Sequence, residues 1–205
     1  MFEGCTNLIS TPELPASTIG IRSYRRMFAN CTSLVEPPEL PATYIGHEGY
    51  FGMFEGCTSL EYAPELPATE FQTQYSYSGM FKDCTSLKRA PSILPCTSLV
   101  MGCYYRMFFR CINLENAPKL PALTIPWNAY AGMFEECNKI NFIDASFTTI
   151  ENTTTSLNSW LYHVSPTGIF IKNPDAEWDI SGASGIPEGW NVFNKYGGYL
   201  ESTGT

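Results

Sequence analysis

Hydrophobic residues recur along the chain in a fixed order, with a period of 26 or 27 residues. Each unit opens with a Met-Phe pair, places a cysteine three residues after the Phe, and places a leucine or isoleucine three residues after the cysteine. A Pro-x-Leu-Pro-Ala phrase, a second apolar position and a tyrosine complete the unit. Because so many columns stay aligned, the pattern indicates a repeat protein. The six Met-Phe pairs begin at Met1, Met27, Met53, Met80, Met107 and Met133.

A unit of this length cannot bury its apolar side chains alone, so neighbouring units must stack and share one core. The stretch between the leucine column and the Leu-Pro step, such as 60–63, predicts a short strand that ends where proline removes a ladder donor. The Tyr-x-x-Met-Phe-x-x-Cys phrase, as in 24–31, has the i, i+3, i+4, i+7 spacing that predicts helical turns. We therefore expect an α/β fold: a right-handed solenoid with short parallel strands and short helical turns over residues 1–150, and a C-terminal capping segment over residues 151–205.

Composition narrows the classes of function. The 12 Lys and Arg residues against 20 Asp and Glu give a formal charge of −8, which argues against a nucleic-acid partner. No run of about 18 apolar residues is present, so we expect no membrane insertion in this segment. With only His47 and His163, no Ser-His-Asp or Cys-His arrangement is indicated, and no Gly-rich phosphate loop follows a strand. We expect neither catalytic residues nor a cofactor.

Eight cysteines would ordinarily suggest disulfides or a metal site. Six of them share one repeat position without a Cys-x-x-Cys step or a nearby histidine, so we expect buried apolar side chains and no metal site. Cys96 and Cys103 fall in one unit, and in an oxidising compartment they would close a short loop worth about 2–3 kcal/mol. Whether these two are bridged or free stays open. The six column cysteines are Cys5, Cys31, Cys57, Cys84, Cys111 and Cys137.

The candidate binding residues lie beside the predicted strand. Glu13, Glu39 and Glu65 share one repeat position, so stacking places their backbones about 5 Å apart. Such a column either attracts a cation such as calcium or splays its side chains into water, and we expect the second. Tyr62 and Arg89 stand at positions that vary while the frame stays fixed, which suits a recognition surface and equally an unconstrained solvent face.

The closing segment holds three tryptophans, Trp160, Trp178 and Trp190. Exposed tryptophans would stack on sugar rings, whereas buried ones would cover the open end of the solenoid. We expect the second role, because terminal coils need a cap.

The phrase Met-Phe-Glu-Gly-Cys-Thr-Ser-Leu at 53–60, followed by Ala-Pro-Glu-Leu-Pro-Ala-Thr at 63–69, resembles the BspA-like leucine-rich-repeat surface proteins of Bacteroidetes. Residues 168–174 and 185–190 resemble the closing segment of the same proteins. The resemblance implies a leucine-rich-repeat solenoid located outside the cell or on its surface. It also implies binding or adhesion to a host or bacterial surface protein or glycan. The alternative is a structural spacer without a ligand. No signal peptide can be read at Met1, which opens within a repeat, so we expect a segment of a longer secreted chain.

Overall fold

The chain folds as a parallel β-solenoid of about seven turns, which confirms the predicted solenoid. The computed structural model describes residues 1–194 and, by backbone alone, residues 199–200. Residues 195–198 and 201–205 of the predicted cap lie outside the described residues. In the part of the chain that the structure describes, no helix has the length and apolar character needed to cross a membrane.

The strands are short, and pairs of them belong to neighbouring coils. β1 pairs with β2, β3 with β5, β4 with β6, and β6 with β7, all in parallel, whereas β7 pairs antiparallel with β8. Within the described residues the only helix is a single 3₁₀ turn, Gly182–Ser184. The strands are β1 Thr18–Ile19, β2 Tyr44–Ile45, β3 Thr124–Ile125, β4 Phe142–Ala145, β5 Thr149–Ile150, β6 Gly168–Lys172, β7 Trp190–Asn194 and β8 Tyr199–Leu200.

The first strands lie at the second apolar column of the repeat, not at the predicted position. Ile19, Ile45 and Ile125 point into the core, and the residue before each is exposed. At the predicted position the earlier coils meet through isolated bridges, such as that between Tyr62 and Arg89, and a longer strand forms there only at β4, after Ile140. The prolines that follow remove amide donors, so pairing there cannot extend into a ladder.

The segments predicted as helical turns form a different structure, and that part of the prediction is wrong. In residues 47–56 every second amide donates to a carbonyl of the next coil, as Tyr50 N does to Ser76 O at 3.0 Å. The amides between them donate three residues back, as Phe51 N does to Glu48 O at 3.2 Å. An α-helix would bond its amides four residues back within one segment. We call these segments turn ribbons; they span residues 21–30, 47–56, 74–83, 101–110, 127–136 and 153–163.

Left-handed backbone recurs at every fourth residue of a turn ribbon. In the second ribbon these residues are Glu48, Gly52 and Gly56, with φ of 52°, 57° and 72°. Glycine adopts such angles without steric cost, and few other residues do so readily. The four-residue period keeps Tyr50 and Phe54 on one line facing the core. The i, i+3, i+4, i+7 spacing fits this ribbon as well as a helix, which is why it led to the wrong prediction of helical turns.

Stacked aromatic rings run through the core in two columns. In the phenylalanine column, neighbouring ring centroids lie 5.5–5.7 Å apart with interplanar angles of 1–12°. The tyrosine column has spacings of 5.5–6.1 Å and ends on Trp160. Stacking at these distances adds to the large apolar area that aromatic rings bury. The first column is Phe2, Phe28, Phe54, Phe81, Phe108 and Phe134; the second is Tyr24, Tyr50, Tyr77, Tyr104 and Tyr130.

The cysteine column lines up beside the phenylalanine column. The thiol of Cys84 donates to Phe54 O at 3.0 Å, and the same carbonyl accepts the Cys57 amide at 3.0 Å. The thiols of Cys31, Cys57, Cys111 and Cys137 bond in the same way to the phenylalanine carbonyl of the preceding coil. These five cysteines are buried, whereas Cys5 is exposed. The position therefore takes a small apolar side chain that also donates one hydrogen bond between coils.

The stacking continues beyond residue 150. β4, β6 and β7 extend the parallel ladder, and the Trp160 indole stacks on Tyr130 at 6.1 Å. The indole N–H groups of the three closing tryptophans donate to backbone carbonyls: Trp160 to Gly185 at 2.8 Å, Trp178 to Phe147 at 3.0 Å, and Trp190 to Ser165 at 2.8 Å. Trp160 and Trp190 are buried. These side chains pack inward and present no platform for a sugar ring.

Candidate binding surface

One side of the solenoid carries the proline-rich phrases of successive coils. We call it the strand face because the sequence predicted the strands there, although β1, β2 and β3 lie outside it. The leucine of each phrase, for example Leu40 and Leu66, is buried, while the residue before it is exposed. That residue is a glutamate in the first three coils, Ile93 in the fourth and Lys119 in the fifth. The fixed φ of the prolines holds this backbone in one conformation. The strand face therefore displays one side chain per coil at the same height. It comprises residues 9–15, 35–41, 61–67, 88–95 and 115–121.

Two open grooves cross the first three coils of the strand face. The first has a volume of ≈ 460 Å³ and is lined by residues 10–15 together with Glu36, Pro37, Pro38, Glu39 and Pro41. The second has a volume of ≈ 430 Å³ and is lined by Pro37, Pro38, Glu39, Leu40, Pro41, Tyr62, Pro64, Glu65 and Pro67. Because both grooves use side chains of the middle coil, they form one continuous surface, which we call the acidic groove.

The acidic groove contains all three glutamates of the predicted column. Glu13 lines its first part, Glu65 its second, and Glu39 both. The Glu65 carboxylate accepts hydrogen bonds from Ser92 N at 3.1 Å and Ser92 Oγ at 3.2 Å. Within the described residues, the carboxylates of Glu13 and Glu39 have neither a hydrogen bond nor an ion pair. Two stacked negative charges therefore face solvent without compensation.

The glutamate column contains no cluster of metal-ligating side chains in the part of the chain that the structure describes. Among residues 1–194, no three His, Cys, Asp or Glu side chains come close enough together to hold a metal ion. All three glutamates are exposed.

The other two predicted residues extend the same surface. Tyr62 is 45 % exposed and lines the acidic groove beside Glu39 and Glu65. Arg89 lies in the next coil and forms a parallel β-bridge with Tyr62. The Ala63 amide donates to Arg89 O at 2.9 Å. The Arg89 side chain is exposed and forms no ion pair with any described residue. The structure thus brings Tyr62 and the glutamates into one groove, and it places Arg89 where the acidic stretch ends.

The opposite charge arrangement occurs on the outer side of the turn ribbons, which we call the turn face. There, residues of alternating sign form a continuous ladder of ion pairs from coil to coil. Arg26 contacts Glu3 at 3.0 Å and also contacts Glu55, whose carboxylate binds Lys82 at 2.9 Å. Asp83 lies 3.7 Å from Lys82 and continues the ladder. Its last members are Arg110, 3.4 Å from Asp83, and Glu136, 3.7 Å from Arg110.

Cys96 and Cys103 both lie in the core as free thiols. Cys96 Sγ donates to Ser98 O at 3.3 Å. Burial raises the pKa of Cys96 to about 11 and that of Cys103 further, and the neighbouring Cys96 adds to the rise at Cys103. A bridge between the two thiols under oxidising conditions stays a prediction.

No protein-family model matches the chain, and searches of curated proteins and of solved structures found no match.

Sequence reasoning missed the prolines that form the groove walls and the ion-pair ladder of the turn face. Both had signals in the sequence. The repeated Pro-x-Leu-Pro phrase marks a rigid wall in each coil. Opposite charges that recur 23 to 29 residues apart, such as Glu3, Arg26 and Glu55, mark partners in neighbouring coils.

Proposed function

We propose that this chain is a binding module that recognises a protein or glycan through its strand face. The observation that carries the proposal is the acidic groove, which joins an exposed tyrosine, rigid proline walls and uncompensated carboxylates on one surface. Exposed aromatic side chains with fixed surroundings lose little entropy when they are buried by a partner. The proposal assigns the chain no catalytic chemistry.

We also propose the cellular setting that the sequence resemblance implies. The repeat phrase and the closing segment support membership of the BspA-like leucine-rich-repeat surface proteins, with a location outside the cell or on its surface. The β-solenoid fold is compatible with an adhesive role because it presents a long, regular surface.

A structural spacer is the second candidate function. The observation that favours it is the uninterrupted phenylalanine column, which ties six coils into one body from Phe2 to Phe134. A spacer needs rigidity alone, so its exposed side chains would not have to form a patch.

An array of glycans and extracellular-matrix proteins distinguishes the two functions. The wild-type chain is compared with Tyr62→Ala and with Tyr162→Ala, a control whose tyrosine is 41 % exposed away from the strand face. If the chain is a binding module, at least one array signal should fall about tenfold or more with Tyr62→Ala and persist with Tyr162→Ala. The reason is that tyrosines buried at the centre of an interface are frequent binding hot spots. Silence across the array, or equal loss with both variants, would contradict the proposal and favour the spacer.

A further inference from the structure

We propose that the acidic groove binds an extended, lysine- or arginine-bearing polypeptide segment that lies along the solenoid axis across three coils. This inference rests on the proposed binding function and names the class of its ligand. Three independent properties of the groove support it: its charge, its walls and its spacing.

The charge of the groove favours a cation. Glu13 and Glu39 have no partner among the described residues, and Glu36 adds a third carboxylate at the edge of the first groove. On the turn face the comparable glutamates are matched by arginine or lysine from the next coil. A basic ligand would supply the matching charge on the strand face. The chain's overall charge of −8 would also attract such a ligand from a distance.

The walls of the groove suit the side chains that carry positive charge. Pro37, Pro41 and Pro64 present rigid apolar rings beside Glu39, and Tyr62 presents an exposed aromatic face. Lysine and arginine bury their aliphatic stems on apolar surface while the charged end stays in water or meets a carboxylate. Arginine also stacks on tyrosine. The walls therefore favour a peptide over an isolated inorganic cation.

The spacing of the glutamates fits a polyproline-type backbone. Neighbouring coils lie about 4.8 Å apart, so Glu13 and Glu65, two coils apart, are separated by about 9.6 Å at the backbone. A polyproline II helix advances about 3.1 Å per residue, which places every third side chain on one face at intervals of about 9.3 Å. Basic residues three apart would thus meet these two glutamates, while Glu39 lies between them. Arg89 ends the acidic stretch and sets the length of the ligand at about three coils.

The test uses fluorescein-labelled peptides and the full chain. The probe is (Pro-Pro-Lys)₄, and (Pro-Pro-Glu)₄ and (Gly-Ser-Lys)₄ are its controls for charge and for backbone rigidity. Fluorescence anisotropy gives Kd for the wild type, for E39Q/E65Q and for E151Q/E188Q. The last variant changes the net charge equally at two exposed glutamates outside the groove. Circular dichroism verifies that each variant is folded.

The expected result is saturable binding of (Pro-Pro-Lys)₄ to the wild type and to E151Q/E188Q, with Kd about five- to tenfold higher for E39Q/E65Q, as two exposed ion pairs allow. We expect (Pro-Pro-Glu)₄ not to bind and (Gly-Ser-Lys)₄ to bind more weakly. Equal weakening by both double variants would overturn the inference, because binding would then follow net charge alone. Absence of binding to (Pro-Pro-Lys)₄ would also overturn it. If an array signal sensitive to Tyr62→Ala persists in that case, only the ligand class fails; if the array is silent as well, the proposed function fails too.

Discussion

Charged side chains are paired from coil to coil along the turn face, but only in part along the strand face. On the turn face, Glu55 lies between Arg26 and Lys82, and the alternation of sign continues through successive coils. On the strand face, Glu61 pairs with Lys88 at 3.0 Å. Glu13 and Glu39, in contrast, repeat the same sign at the same height without a partner among the described residues. A face that serves only the fold gains from compensation, whereas stacked like charges do not help the fold.

The side chains beneath the two faces differ in the same way. Below the turn face, aromatic rings and thiols fill their columns coil after coil, and substitutions there must act on stability. On the strand face, the prolines shape an open groove, and the residues that vary from coil to coil are exposed. We infer that the turn face holds the solenoid together and that the strand face is free to bind.

Alkaline pH should unfold the chain by ionising the thiols and tyrosines that are buried beneath the turn face. Burial raises the pKa of Cys57 to about 12, and it raises the pKa of Cys84, Tyr77 and Tyr50 well above their ordinary values. A thiol with a raised folded pKa stabilises the fold fully below its unfolded pKa of about 8.5, and this contribution is lost as the pH rises towards the folded pKa. At pH 10.5, two units above the unfolded pKa, each deeply buried thiol costs about 3 kcal/mol, and the sum over the column reaches the stability of an ordinary domain.

Circular dichroism during a pH titration checks this prediction, and unfolding should begin between pH 9 and pH 10.5. The variant Cys57→Ala should shift the transition upward, whereas Cys5→Ala should leave it unchanged because Cys5 is exposed. A fold that is unaffected at pH 11 would contradict the assignment of the thiol column to the core.

Removal of one ring from the phenylalanine column should be the most damaging single substitution. Phe81 stacks between Phe54 and Phe108, with 5.5 Å to each, and is fully buried. We expect Phe81→Ala to lower the free energy of unfolding by about 3–5 kcal/mol, because it leaves a cavity between coils. Phe142→Ala, at a ring that is 44 % exposed, is the matched control and should cost less than about 1 kcal/mol. Urea unfolding of both variants gives the comparison, and equal losses would refute it.

An ion pair of the turn face should contribute a small, salt-dependent stability. Glu55 is half-buried and binds both Arg26 and Lys82. We expect Glu55→Gln to lower the free energy of unfolding by about 0.5–1 kcal/mol at low salt, and by less in 1 M NaCl. Urea unfolding at the two salt concentrations measures this difference. If the loss does not depend on salt, the ladder does not act through charge.

The corresponding substitution on the strand face, Glu39→Gln, should leave the free energy of unfolding unchanged or raise it slightly. Glu39 is exposed and unpaired, and its nearest column neighbours are Glu13 and Glu65. We expect Glu39→Gln to leave the free energy of unfolding unchanged or to raise it by up to about 0.3 kcal/mol, because one like charge is removed. The same urea experiment serves here. A loss as large as that of Glu55→Gln would show that the two faces do not differ in their contribution to stability.

The repeat period predicted the solenoid and the buried columns because stacking follows from periodicity alone. The helical turns were predicted wrongly because the spacing of Tyr50, Met53 and Phe54 fits a helix and a turn ribbon equally. Gly52 and Gly56 lie at left-handed positions, but twelve left-handed positions of the ribbons hold other residues, so glycine alone did not mark the pattern.

The residues of the candidate site could be predicted in part. The shared repeat position of Glu13, Glu39 and Glu65 was enough to place them in one column. The groove itself could not be predicted, because its depth depends on how Tyr62 and the proline walls of two coils meet in space. The sequence alone does not give the distance between Tyr62 and the proline walls.

Hydrogen–deuterium exchange with and without the strongest ligand from the array tests the division between the faces most directly. We expect added protection in residues 36–41, 62–67 and near Arg89, with no change in the turn ribbons at 47–56 and 74–83. Protection confined to the turn ribbons, with the strand face unchanged, would contradict it.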